Sequence, residues 1–207
     1  LDINPTAQIK TYSEGINEKN IDDFLVGVDV VLDGIDAFQI GPRRLLYKKA
    51  REKDLYVIFS APMAYGATLQ IFDPQGMSFD QDLNIREDMT RAEQIAVFLV
   101  GIAPKLLSRN KSFESRVDFE KEKGPALACT VALSTGVVTS AILKILLQRE
   151  KPLCIPHAFY LDPYHWSFVH RKRRLLRFRW LQKIIIKVCF NRCPSLKRLH
   201  LNECINK

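Results

Sequence analysis

Glycine is scarce in this chain of 207 residues, and no two of its nine glycines are separated by a single residue. A G-x-G-x-x-G phosphate-cradling turn is therefore absent from the sequence. The five cysteines, at positions 129, 154, 189, 193 and 204, include no C-x-x-C pair. That excludes a zinc ribbon and a disulfide framework and points to a reducing cytoplasm. No cysteine occurs between Pro74 and Lys123. Near Leu1 there is no charged segment followed by an apolar one, so no signal peptide is expected. A chain that opens on Leu rather than Met reads as a fragment or processed piece.

Acid is missing from one region in particular. From Arg171 onward twelve Lys and Arg stand against one acid, Glu203, whereas the preceding 170 residues are slightly acidic. The net charge of +8 thus belongs to a tail and not to the body. Apolar residues make up 47% of the chain, enough for a core and too many for disorder. The expected organisation is one domain of ordinary size with a basic tail.

The most informative stretch is VDVVLDGIDAFQI, Val28 to Ile40. A short apolar run closed by an acidic, glycine-containing turn reads as a buried parallel strand. Ligands of open α/β sheets bind beyond the carboxyl ends of such strands. Asp33 and Asp36 stand at that edge, where a carboxylate can hold Mg²⁺ or a nucleotide hydroxyl, or serve only as turn and helix-cap residues. Gly41-Pro42 opens a helix to about Lys53 with Leu45, Leu46 and Ala50 inward. Leu55–Ser60 and Ala67–Phe72 read as strands. The first completes a β–α–β unit, and the short link makes the second antiparallel to it.

Elsewhere, residues 7–12 alternate as a strand, and Asn20 caps a short helix, Ile21–Gly27. Gln75–Met89 is polar and irregular. Thr90-x-x-Glu93 is a capping box opening a helix that carries Ile95, Phe98, Leu99, Ile102 and Leu106 on one face. Ser108–Lys123 reads as a solvated connection. Gly124-Pro125 starts a long helix to Gln148, uncharged from Leu127 to Leu143. Its Thr, Ser and Gly content favours a buried, closely packed helix over a membrane span. Cys129, in its first turn, is expected to be a buried, inert thiol. Ala158–Leu161 and Trp166–Val169 read as strands, Leu176–Trp180 alternates, and Leu181–Phe190 fits a short helix. Neither His157, Asp162 and His165 nor Cys189, Cys193, His200 and Cys204 make a closed metal-ligand set. The tail is expected to pack on the body, its cations giving only non-specific polyanion binding.

Together, VDVVLDGIDAFQIGPRRLL, YVIFSAPMAYGATLQIF, the early Asn4-Pro5 and the small-residue helix at 126–147 resemble the second half of a ThiF/MoeB-type adenylating domain. That superfamily also contains the ubiquitin-activating enzymes. The run APMAYGATLQIFDPQGMSF is similar to bacterial members, some joined to nitroreductase-like domains. The resemblance implies, over residues 1–150, the C-terminal part of an α/β, Rossmann-like ThiF fold with a mostly parallel sheet, antiparallel strands at one end, and the nucleotide-loop half absent, followed by a C-terminal extension, 151–207, with the basic tail. It implies ATP-dependent adenylation of a carboxylate, such as the C-terminus of a ubiquitin-like or sulfur-carrier protein, by a cytoplasmic homodimer. ATP and Mg²⁺ are the implied cofactors. Asp36 matches the family's catalytic Mg·ATP aspartate. Asp33 and Arg43 are its implied nucleotide-side companions, with Arg44 as an alternative phosphate partner, and Ala61, Tyr65 and Gly66 form the implied substrate groove. No metal beyond Mg²⁺, no specific nucleic acid and no transmembrane segment are implied.

Departures from the family are Ala37, where better-known members carry Asn, and the cysteine-free connection, which argues against a thioester step. The alternatives are a non-catalytic ThiF-like subunit keeping the fold and dimer surface, and a peripheral polyanion-binding protein acting through its tail. Whether the chain is an enzyme is left open by its sequence.

Overall fold

The computed structural model describes residues 3–102, 117–119, 121–122, 124, 126–172 and 178–205. Leu106, Pro125, residues 173–177 and most of the connection 108–123 therefore lie outside the described residues. Strand β1 (Val30–Asp33), helix α2 (Ile40–Glu52) and strand β2 (Tyr56–Phe59) form the expected β–α–β unit. The two strands run parallel with Val31 opposite Val57 and Asp33 opposite Phe59. Strand β3 (Pro62–Met63) and strand β4 (Gly66–Phe72) follow as a hairpin, and β4 is antiparallel to β2. Strands β5 (His157–Asp162) and β6 (Ser167–Lys172) continue the same sheet without interruption across residue 150. The order is β1-β2-β4-β5-β6, with β3 beside β4. This is a Rossmann-like α/β fold whose described part carries one parallel pair and an antiparallel end.

Alternation along each strand divides the core. Val31, Val57, Phe59 and Phe72 face the larger core with Leu46 and Ala50 of α2 and with helix α4 (Arg91–Ile102). Ile58 and Ile71 face the opposite side, against Val138 and Ala141 of helix α5 (Ala128–Leu146). The predicted capping box forms: Thr90 N–H donates to Glu93 Oε2 at 2.9 Å, and Glu93 N–H to Thr90 Oγ1 at 3.2 Å.

Several expectations change. Residues 7–12 hold no strand. Lys10 and Tyr12 instead bond the Asp23 carboxylate at 2.6 and 2.7 Å, tying the segment to helix α1 (Ile21–Phe24). Asn20 stands at the N-cap of that helix as expected but makes no side-chain cap bond, because its amide closes a loop, accepting from Asn17 N–H and donating to the Gly15 carbonyl. Within the stretch expected to be irregular, helix α3 (Phe79–Leu83) forms on a second capping box, Ser78 with Gln81.

Helix α5 corrects the expectation of burial. Thr130, Ser134, Val138 and Ala141 make a buried stripe against the sheet, but Thr135, Gly136, Thr139, Ser140 and Leu143 are exposed. Its exposed hydroxyls bond carbonyls three or four residues earlier, the local bonding that compensates polar side chains in an apolar helix. Cys129 is likewise exposed instead of buried. By length and composition α5 could cross a membrane, yet its inner stripe is occupied by the sheet. We expect alkaline carbonate extraction of membranes to release the protein. Retention in the pellet would make α5 a span.

The basic tail forms helices α6 (Arg179–Arg192) and α7 (Pro194–Ile205), both packed on α4. Specific polar contacts set its position. Gln182, fully buried, donates to the Leu83 and Asn84 carbonyls at the end of α3, both at 2.9 Å, and accepts from Arg86 at 2.8 Å. Glu203, the tail's single acid, accepts from Ala92 N–H in the first turn of α4 at 3.0 Å. That places its charge where the helix dipole favours it. The expected packing of the tail on the body is therefore the observed one.

Candidate functional site

A half-open cavity of about 340 Å³ lies beyond the carboxyl ends of β1 and β2. Its floor is built from one buried ion pair. Asp33, the last residue of β1, and Arg43, one turn into α2, both have fully buried side chains and meet at 2.7 Å (Nε to Oδ2). The Tyr47 hydroxyl donates to the same carboxylate oxygen at 2.9 Å, and Ile35 N–H to the other at 2.9 Å. The rest of the guanidinium binds the turn itself, donating to the Asp36 carbonyl at 3.2 Å and to the Ile35 carbonyl. Its face lies 4.4 Å from the Phe98 ring centroid and 5.6 Å from that of Phe59. A buried guanidinium needs this many acceptors, since an unpaired one would cost several kcal/mol. Arg43 thus fixes the whole Asp33-to-Asp36 turn.

Asp36 is the turn's exposed acid and lines the cavity. One of its oxygens accepts from Phe38 N–H at 3.0 Å. Its other oxygen has no protein partner among the described residues. The two acids of the motif therefore have different positions. Asp33 is saturated by Arg43, Tyr47 and Ile35, while Asp36 faces the opening. Arg44 points elsewhere, pairing with Asp80 at 2.8 Å and Glu87 at 2.7 Å.

Ala61 lines the same cavity, held by reciprocal bonds with Thr68: Ala61 N–H to Thr68 Oγ1 and Thr68 N–H to the Ala61 carbonyl, both 3.0 Å. Tyr65 and Gly66 do not line it. Tyr65 stacks on Tyr164 at 4.4 Å. Gly66 is required by the close approach of β5, since a Cβ there would stand 2.3 Å from the Leu161 carbonyl oxygen and 2.8 Å from the Tyr160 ring. The Tyr160 hydroxyl shares its one proton between the Met63 carbonyl at 3.3 Å and Asp162 Oδ2 at 3.2 Å, and burial pushes this phenol up. We expect Gly66→Ala to separate β4 from β5 and cost about 3 kcal/mol, measurable as a lower denaturant midpoint. An unchanged midpoint would refute that contact.

Two walls were not identified from the sequence. Phe98, Leu99 and Ile102, at the end of α4, form one. The other is Val117, Phe119, Gly124 and Ala126, within and after the connection expected to be solvated. Phe119 is buried edge-on against Phe38 at 5.5 Å, and Glu122 bonds Gln39 and Arg91. The available signal was the pair Val117 and Phe119 in an otherwise charged run.

The chemistry of the lining is mostly apolar, with one carboxylate oxygen, on Asp36, unmatched among the described residues. Mg²⁺ takes hard oxygen donors, often one or two carboxylates plus substrate phosphates, and the free oxygen of Asp36 fits that use. The chain carries no glycine-rich phosphate loop. Other polar clusters are internally matched. Burial works to raise the Asp162 carboxyl, but His165 outweighs it through its side chain and its N–H, holding the group below its usual range. His157 and His170 bond each other at 2.8 Å. Among the described residues no three His, Cys, Asp or Glu gather as a metal site. Burial, reinforced by Asp73, pushes the Cys154 thiol up to about 11, which makes it a poor nucleophile.

No curated protein matches this sequence. Among solved structures, a crystal structure of selenomethionine-labelled PaaA is similar, at 12% identity and a TM-score of 0.47. The alignment covers 75% of this chain and 38% of that one, so this chain spans well under half the length of PaaA. A family model described as the ThiF family matches residues 1–176, from the first residue through the β5–β6 hairpin and into the tail. The chain belongs to the ThiF family.

Proposed function

We propose that this domain supplies the acyl-binding side of an ATP-dependent adenylation site. Its substrate is a carboxylate at the end of a flexible chain, such as the C-terminus of a ubiquitin-like or sulfur-carrier protein. The observation that carries this reading is the unequal pair of acids: a buried Asp33–Arg43 clamp presenting Asp36, with one oxygen free, at the mouth of an apolar cavity. Asp36 is the residue that would hold Mg²⁺, and Mg·ATP would supply the electrophilic α-phosphorus and the pyrophosphate leaving group. Asp33 and Arg43 act as positioning residues: they keep the Asp36 carboxylate at a fixed height above β1. Ala61 and Pro62, small or rigid, leave room for an extended acyl tail along the β2 end of the cavity. Phe38, Phe59 and Phe98 exclude water from it, which strengthens charge interactions at the mouth.

The test is exchange of radiolabelled pyrophosphate into ATP by the intact protein. Asp36→Ala should lower exchange about a hundredfold or more, because a metal-bound carboxylate is worth several kcal/mol of charge neutralisation. Circular dichroism should be unchanged, since Asp36 is exposed. Retained exchange in the folded variant would remove Asp36 from the site. The second reading is a ThiF-like subunit that keeps the fold without catalysis. Absence of exchange from the intact protein, with every carrier-protein C-terminus offered, would select it.

A further inference from the structure

The inner face of α6 is buried through Gln182, Ile185, Ile186 and Cys189. Its outer face has an order that packing on the body does not require. Trp180, Ile184 and Val188 recur at every fourth residue in one row, 65%, 51% and 39% exposed. Arg179, Lys183 and Lys187 recur in the adjoining row, all exposed. None of these three cations has a carboxylate partner among the described residues. From Pro163 to Ile205 the single acid is Glu203, and that carboxylate is engaged with Ala92 on α4. Phe178, just before the helix, is 55% exposed, and on α7 Leu201 and Ile205 are exposed beside Lys197.

We propose that the outer face of α6 docks on an anionic lipid bilayer, lying flat with Trp180, Ile184 and Val188 in the headgroup–acyl boundary and Arg179, Lys183 and Lys187 on the lipid phosphates. Charge complementarity selects an anionic partner. The aliphatic row selects a bilayer over nucleic acid, because Ile184 and Val188 have no ring to stack on bases and need an apolar phase to leave water. Trp180 has the amphipathic ring that settles at a membrane interface. Segregated basic and apolar rows on a helix surface are the pattern of monotopic attachment. The site is separate from the cavity and does not depend on its reading.

The experiment is co-sedimentation of the whole protein with phosphatidylcholine vesicles, with and without phosphatidylserine, across a salt series. Trp166→Phe serves as background, so that Trp180 emission is read alone. Binding should require phosphatidylserine, and Trp180 emission should shift to the blue. Salt should weaken binding without abolishing it. Ile184→Ser should lower vesicle affinity about tenfold, and Lys183→Gln and Lys187→Gln about fivefold each, with melting temperatures unchanged. Failure to bind phosphatidylserine vesicles would overturn the proposal. So would Ile184→Ser leaving binding intact while RNA competes equally, which is polyanion attraction only. A blue shift that appears without vesicles as protein concentration rises, and is lost with Ile184→Ser, would assign the face to a second copy of the chain and also overturn it.

Discussion

Arg43→Met should lower the stability of this domain by about 3–5 kcal/mol, the cost of leaving one member of a buried ion pair alone. The argument rests on where the lost contacts were. Asp33 and Arg43 both have side chains with no exposure, so no water replaces the missing guanidinium. Asp33 keeps only Tyr47 and Ile35 as donors, and the Ile35 carbonyl loses the guanidinium while the Asp36 carbonyl is left with Gln39 N–H. Methionine retains the stem's volume, so little of the effect arises from a cavity. Arg43→Lys should not restore stability, because one ammonium cannot reach a carboxylate and two turn carbonyls in the planar geometry of a guanidinium. Asp33→Asn combined with Arg43→Met should recover part of the loss, since it removes the uncompensated charge. Urea midpoints of the three variants check this. A full-strength Arg43→Met would mean that Asp33 finds another cation. The same variant should also lower pyrophosphate exchange even where it is folded, because Asp36 is held by that turn.

Gln182→Leu should cost about 3 kcal/mol, although leucine is more apolar and the site is fully buried. The side chain makes close bonds to the Leu83 and Asn84 carbonyls and to Arg86. Those groups belong to the end of α3, where carbonyls have no intrahelical donors. Each buried group left unmatched costs about 1–3 kcal/mol, partly offset by the burial of leucine. Asn84, at φ 52° in the left-handed region, completes the same helix end and loses a partner for its amide. A chain ending at Val169 should fare worse still. It bares the face of α4 against which Ile185, Ile186, Cys189 and Leu196 pack, and it should lose cooperative melting. Intact melting of that truncated chain would show the tail to be dispensable.

Much of the local structure follows from the sequence alone. The period of the apolar residues and the capping boxes suffice for β1, α2, β2, β4 and α4, because hydrophobic alternation and N-terminal capping act over a few residues. The antiparallel turn into β4 follows from a link too short for a crossover. The position of Asp33 and Asp36 at a strand end was equally legible. Which of the two is free was not, since the answer lies in Arg43 ten residues later and in Phe98 from a distant helix. The exposure of one face of α5 and of Cys129 also needed the sheet in place: an uncharged helix shows no sign of how many of its sides find partners. The tail shows the division most clearly. Its charge and apolar content were evident by counting, but Gln182 and Glu203 became its anchors only because folding brought them to the unpaired ends of α3 and α4. Those backbone groups exist in no local sequence pattern of the tail, and burial from water is what makes satisfying them decisive.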